Sequence, residues 1–356
     1  LTNPFLSLGY AVLAREMDFR KQAQVNMASA VIGALVALAG ALGGLGVWTL
    51  VAAPIATFAS RAFGMTAVAR AWMWPSFDFR SARTMAAYGG VIMAGQIFWF
   101  IQAQADIVIA GRVLSAAELG YYTTALFLAQ LFVNKVVPPL NEVAFSAYAR
   151  IQDDPQAVAE GFLKSVRIVM LLAIPFCLGL AAVSAPAVEL MLGAKWLPAA
   201  PLVALLALAM PFMTMHVMFA PATNALGQPR IGTRTSVLGS VLMPLAFLIG
   251  VTLDGARGIA LAWLVAYPLL TAISAHWSLP VIGLRKRALA GAVLPPVLAG
   301  VAMGLAVVTL ERATDQLGLP LRLVTLVAAG GLIYGLWLVC FARERVSEVL
   351  GLLRRS

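Results

Sequence analysis

Charged side chains are scarce in this sequence. Asp, Glu, Lys and Arg make up 11% of the 356 residues, where a soluble domain carries about 25%. So few charges cannot cover a water-facing surface of this size, so lipid must solvate most of it. Cysteine is nearly missing. The two residues, Cys177 and Cys340, lie far apart in apolar runs, which argues against a disulfide framework and a thiolate metal site. Both read as small buried hydrophobes. The two histidines, His216 and His276, sit in separate apolar spans without a partner at i+3 or i+4. They read as packing residues, with a proton relay as the alternative. There is no Gly-rich phosphate loop, no HExxH and no nucleophile elbow, so no cofactor is expected. The lack of clustered acids and bases argues against an enzyme. No basic segment precedes a short apolar one at the N-terminus, so a signal peptide is not expected. The first residue is Leu, and the chain is expected to be part of something longer.

Long apolar runs fill the rest, with 62% hydrophobic residues. A membrane-crossing helix needs about 20 mostly apolar residues. Ten complete spans are expected, at 23–43, 45–66, 87–110, 117–138, 162–184, 198–220, 232–253, 256–277, 288–310 and 321–341, with the end of another at 4–14. The fold class is therefore all-α, a polytopic membrane protein. Labelling the loops alternately puts 20 of the 25 Lys and Arg in one set. Only Arg112, Lys195, Arg257, Arg312 and Arg322 fall in the other. The positive-inside rule then places the richer set, and the C-terminus, in the cytoplasm. The high pI is a topology signature and not a nucleic-acid footprint. The longest loops expected are 67–86 and 139–161, too short to hide a soluble domain. The tail 342–355 reads as an amphipathic helix on the inner leaflet, in contact with membrane lipids.

Polar residues inside spans carry the functional signal. Gln96, Trp99, Gln102 and Asp106 recur at intervals of 3, 3 and 4 and form one helical stripe. An unpaired carboxylate at mid-span costs on the order of 3 kcal/mol. The stripe should therefore face protein or a hydrated cavity between bundles. It reads either as the wall of a lumen for a polar substrate or as a structural feature in which Asp106 pairs with Arg112 or with a neighbouring helix. Near the inner end of the next span, Asn134 and Lys135 present either a cation for an anionic headgroup or a lysine snorkelling to the interface. Asp153 and Asp154 lack a third carboxylate at helical spacing. With Pro155 they read as a helix start, not a metal site.

Four stretches, in order and in register, resemble the polysaccharide-type lipid-linked oligosaccharide flippases, relatives of the multidrug and toxin extrusion transporters. They are "LAREMDFRKQAQ", "IVIAGRVLSAAELGYYTTALFLAQL", "FSAYARIQDDPQAV" and "LGAKWLPAAPLVALLAL". A family pattern joining the seventh and eighth helices falls on Asp106, Gly111, Arg112, Leu114 and Ala116. One departure is Phe145-Ser146-Ala147-Tyr148, where the family often has Phe-Pro-Ala-Phe. That puts the kink at this helix end in doubt, although Pro138-Pro139 lies nearby.

The resemblance implies two pseudo-symmetric helix bundles, the first incomplete here, plus two C-terminal helices. On that register, 1–70 is the remainder of the first bundle and 71–86 a cytoplasmic connection. Residues 87–280 form the second six-helix bundle, 281–341 the final pair and 342–356 the tail. The implied function is flipping an undecaprenyl-diphosphate-linked oligosaccharide across the bacterial inner membrane for exopolysaccharide, capsule or O-antigen synthesis. The partners would be that polyprenyl-diphosphate-linked oligosaccharide and, in the cell, the polysaccharide polymerase and chain-length machinery. Substrate-lumen candidates are Gln96, Trp99, Gln102, Asp106, Arg112, Asn134 and Lys135. The rivals are a cation-coupled multidrug antiporter or a peptidoglycan lipid flippase on the same fold, and, from another class, a membrane polymerase or glycosyltransferase.

Overall fold

The computed structural model describes residues 12, 19–69, 83–314 and 316–341. The expected partial span at 4–14, apart from residue 12, residues 71–82 of the 71–86 connection and the amphipathic tail lie outside the described residues, and 83–86 are helical. Among the described residues every regular element is helical. Each of the ten expected complete spans falls on helix, and seven helices among the described residues are long and apolar enough to cross a membrane. The chain forms two compact units, 1–83 and 84–356.

In the first unit, α1 (Phe19–Leu42) packs against α2 (Thr49–Val68). The turn between them uses Gly44 and Gly46 at φ 74° and 52°, a region that glycine enters without steric cost. Small residues set the closeness of the two helices. A Cβ has no room on Gly33 beside Thr57, nor on Gly40 beside Thr49. Such approach replaces the hydrophobic force that lipid removes. The Ser29 and Thr66 hydroxyls donate back to Val25 and Ala62 carbonyls at 2.7 and 2.8 Å, which satisfies them away from water.

The second unit begins with α3 (Arg83–Val113), α4 (Ala116–Ala129) and α5 (Leu131–Arg150). Next come α6 (Pro155–Ala182), a short α7 (Ser184–Leu192) and a 3₁₀ turn (Ala194–Ala199). The unit ends with α8 (Ala200–Ala225), α9 (Pro229–Ile282), α10 (Lys286–Ala313) and α11 (Leu319–Phe341). The central element is α8, packed by α4, α5, α6 and α9. Its membrane-length window is 61% buried, about twice the share of any other span. The final helices α10 and α11 pack on each other and on α6.

Two sequence expectations need correction. The 139–161 loop is mostly helix. Pro138 and Pro139 lie inside α5, which runs on to Arg150, because neighbouring helices in a membrane protein tolerate the freed backbone groups. Cys340 is exposed on α11 while Cys177 is buried; an apolar run facing lipid has the same composition as one facing the core. At the position of the family's proline, exposed Ser146 donates back along α5 to the Glu142 carbonyl at 3.1 Å. Tyr148 is buried, and its hydroxyl donates to Ser165 Oγ at 2.8 Å. Asp154 caps α6 as expected, accepting from the Gln156 and Ala157 amides at 3.0 and 3.1 Å, with Pro155 at the first helical position.

The 54-residue α9 is two expected spans joined without a loop. Asp254 (φ −152°, ψ 38°) and Gly255 (φ 50°, ψ −131°) leave helical geometry and reverse the chain. Its two arms then meet backbone to backbone at Gly250 and Gly258, where neither residue has room for a Cβ.

Candidate functional site

The stripe on α3 divides into two halves with different surroundings. Gln96 and Trp99 line a cavity of about 450 Å³ inside the second unit. Its other walls are the C-terminal half of α8, with His216 and Asn224, the first turns of α9, with Thr233 and Ser236, and the returning arm of α9, with Ser274 and Ser278. Among the described residues no Asp, Glu, Lys or Arg lines it. The turn that brings α8 back into α9 carries Gly227 at φ 71°. It is held by Gln228 N–H donating to the Thr223 carbonyl at 2.8 Å.

His216 Nδ1 lies 3.0 Å from Ser274 Oγ, which also lies 2.8 Å from the Leu270 carbonyl. The ring meets Tyr267 edge-on at 6.2 Å. His216 is thus a hydrogen-bonded packing residue that also forms part of the cavity wall.

The other half of the stripe is closed. Gln102 is 4% exposed and Asp106 0%. Tyr122 on α4 donates its hydroxyl to Asp106 Oδ2 at 2.6 Å, and Trp263 on α9 donates its indole N–H to the Tyr122 oxygen at 2.9 Å. Trp263 stacks on Tyr267 at 4.8 Å and 12°. Gln102 lies against Gly239, which has no room for a Cβ. One oxygen of each, Asp106 Oδ1 and Gln102 Oε1, is buried without a hydrogen-bond partner. The neighbouring-helix alternative for Asp106 is therefore the one the structure forms; the local pair with Arg112 is not. Arg112 is exposed on the last turn of α3 and makes no ion pair among the described residues.

Asn134 and Lys135 are exposed and do not line the cavity. The Asn134 amide donates along its own helix to Gln130 at 3.3 Å. Sequence reasoning did not single out Tyr122, Trp263, Asn224, Thr233 or Ser274. Trp263 lies 141 residues from Tyr122, so no local spacing signals that pair. Among the described residues no cluster of three or more His, Cys, Asp or Glu could hold a metal ion.

Seven membrane-length helices among the described residues define a multi-pass membrane protein. The chain belongs to the polysaccharide biosynthesis protein family, whose model matches residues 1–201. It is similar to the succinoglycan biosynthesis transport protein ExoT of Rhizobium meliloti (strain 1021), at 28% identity over 76% of this chain and 54% of that protein. The teichuronic acid biosynthesis protein TuaB of Bacillus subtilis (strain 168) is 25% identical over 77% of this chain and 57% of its own length. The chain thus spans little more than half the length of these relatives. In fold it is similar to the lipid II flippase MurJ in its inward closed conformation. The TM-score is 0.74 at 13% identity, over 96% of this chain and 72% of that one.

Proposed function

We propose that this chain is the larger part of a flippase carrying an undecaprenyl-diphosphate-linked oligosaccharide from the inner to the outer leaflet of a bacterial plasma membrane. The product would serve exopolysaccharide, capsule or O-antigen assembly. The observation that carries the reading is a cavity with hydroxyl and carboxamide side chains in its wall, enclosed by membrane-length helices, in a chain of the polysaccharide biosynthesis family. A sugar headgroup cannot cross hydrocarbon unless its hydroxyls find partners, and such a cavity supplies them. In this reading Gln96 and Trp99 touch substrate. Gln102 and Asp106 hold α3 against α4 and α9. Arg112, Asn134 and Lys135 act at the membrane interfaces. The protein is a transporter without a catalytic step, and residues 1–69 belong to a first bundle completed by further helices.

Deleting the gene is expected to stop polysaccharide export and to accumulate the lipid-linked intermediate on the cytoplasmic leaflet, with the intact wild-type gene restoring both. Unchanged export in the deletion strain, together with lost efflux of a cationic drug, would overturn the reading in favour of an antiporter.

Orientation rests on the 20-to-5 division of basic residues. In whole cells of a Cys177→Ala, Cys340→Ala strain, a cysteine replacing Lys286 is expected to resist a membrane-impermeant thiol reagent, while one replacing Lys195 reacts. The opposite pattern would invert the topology.

A further inference from the structure

We propose that the cavity of the second unit is a docking site for one or two neutral sugar rings of the carried glycan, and that the diphosphate stays outside it. The inference rests on the flippase reading for what bears the sugar, and on the geometry of the cavity for the rest. At about 450 Å³ the volume falls in the ordinary range of small-molecule sites. Its chemistry is selective. Among the described residues the lining has no cation to pair with a phosphate and no carboxylate to pair with an ammonium. An anion entering such a site would lose water with no charged replacement, so it is excluded. A polyprenyl tail would leave the hydroxyls and amides of the wall without partners.

A sugar ring satisfies both kinds of wall. Trp99 is 49% exposed and offers an indole face to the apolar C–H face of a pyranose. The carboxamides of Gln96 and Asn224 are exposed and make no hydrogen bond among the described residues. Each carboxamide both donates and accepts, as each sugar hydroxyl does. Ser278 supplies an independent sign of a missing ligand. It is 1% exposed, it lines the cavity, and its Oγ has no hydrogen-bond partner. A buried hydroxyl left unpaired is costly, and a hydroxyl-bearing ligand in the cavity provides the partner. Exposed Arg230 and Arg234 alternate with cavity-lining Pro229, Ile231, Thr233 and Thr235 on the first turns of α9. They give the diphosphate a cationic position that water also reaches.

The test uses the intact protein in lipid nanodiscs, free of glucoside and maltoside detergents whose headgroups would compete. In a Cys177→Ala, Cys340→Ala background, Ala220→Cys, at a lining position given no contact with the sugar, reports occupancy through its rate of alkylation by iodoacetamide. Ser236→Cys, also in the lining, serves as a second reporter should the first variant fail to fold. The probes are the methyl glycosides of glucose, galactose, mannose, rhamnose and N-acetylglucosamine, and inorganic pyrophosphate. At least one glycoside is expected to slow alkylation about threefold at twice its dissociation constant, and pyrophosphate is expected to have no effect. Trp99→Ala should raise the dissociation constant read from that protection about tenfold, while Trp99→Phe retains it. Protection by no glycoside at either reporter, or protection by pyrophosphate, would overturn the inference. Export by the wild-type protein without glycoside protection removes this inference alone; protection without export removes the flippase reading and leaves the sugar site standing.

Discussion

Gly258→Val is expected to remove most of the protein from the membrane. The two arms of α9 are joined only by Asp254 and Gly255, and a Cβ built on Gly258 runs into the backbone carbonyl of Gly250. Backbone cannot rotate aside as a side chain can, so the arms must separate. They must do so beside Phe247, Val251, Ile259 and Trp263, all buried in the unit's largest core cluster. Overpacking of a tight core costs about 1–3 kcal/mol, and more when the obstacle is rigid. That is a large part of a folded protein's whole margin of about 5–15 kcal/mol. Gly304→Ala on α10 is the control, since a Cβ there meets nothing within 4 Å; helix propensity predicts no loss. Membrane abundance and the melting temperature of the purified variants check both. Normal abundance of Gly258→Val would mean that the hairpin does not pack as described.

The second large effect is expected at Asp106, where three substitutions separate structure from transport. Asp106→Asn keeps an oxygen for the Tyr122 hydroxyl, so abundance and export should both persist. Asp106→Leu takes that acceptor away at a site with 0% exposure, stranding the Tyr122 hydroxyl proton. A buried polar group stripped of its partner costs about 1–3 kcal/mol, and reduced abundance is the expected readout. Tyr122→Phe removes the donor to Asp106 and the acceptor of the Trp263 N–H together, and should lower abundance as well. Loss of export by Asp106→Asn at normal abundance would instead place the carboxylate on the substrate path.

How much of this was legible in the sequence depends on the kind of interaction. The spans were, because bilayer thickness fixes a length and the absence of water fixes a composition. The start of α6 was, because Asp154-Pro155 acts through bonds to amides two and three residues away. The break at Asp254-Gly255 was, as the gap between two apolar runs. The extension of α5 through Pro138-Pro139 was not, since whether a membrane helix survives a proline depends on its neighbours.

The candidate site was legible only as a stripe. Helical period places Gln96, Trp99, Gln102 and Asp106 on one face, and the cost of a charge in hydrocarbon turns that face away from lipid. Neither consideration says what the face meets. Only the tertiary structure decided that Gln96 and Trp99 open onto a cavity while Gln102 and Asp106 are sealed against α4 and α9. The reason is that the cavity's walls and Asp106's partners come from segments far along the chain. Tyr122 lies 16 residues from Asp106, Ser274 lies 58 from His216, and Trp263 lies 141 from Tyr122. The sequence by itself determined a membrane protein with a polar seam, through local periodicity and solvent preference. Which part of that seam is cavity and which is core was set by helices that meet only after folding.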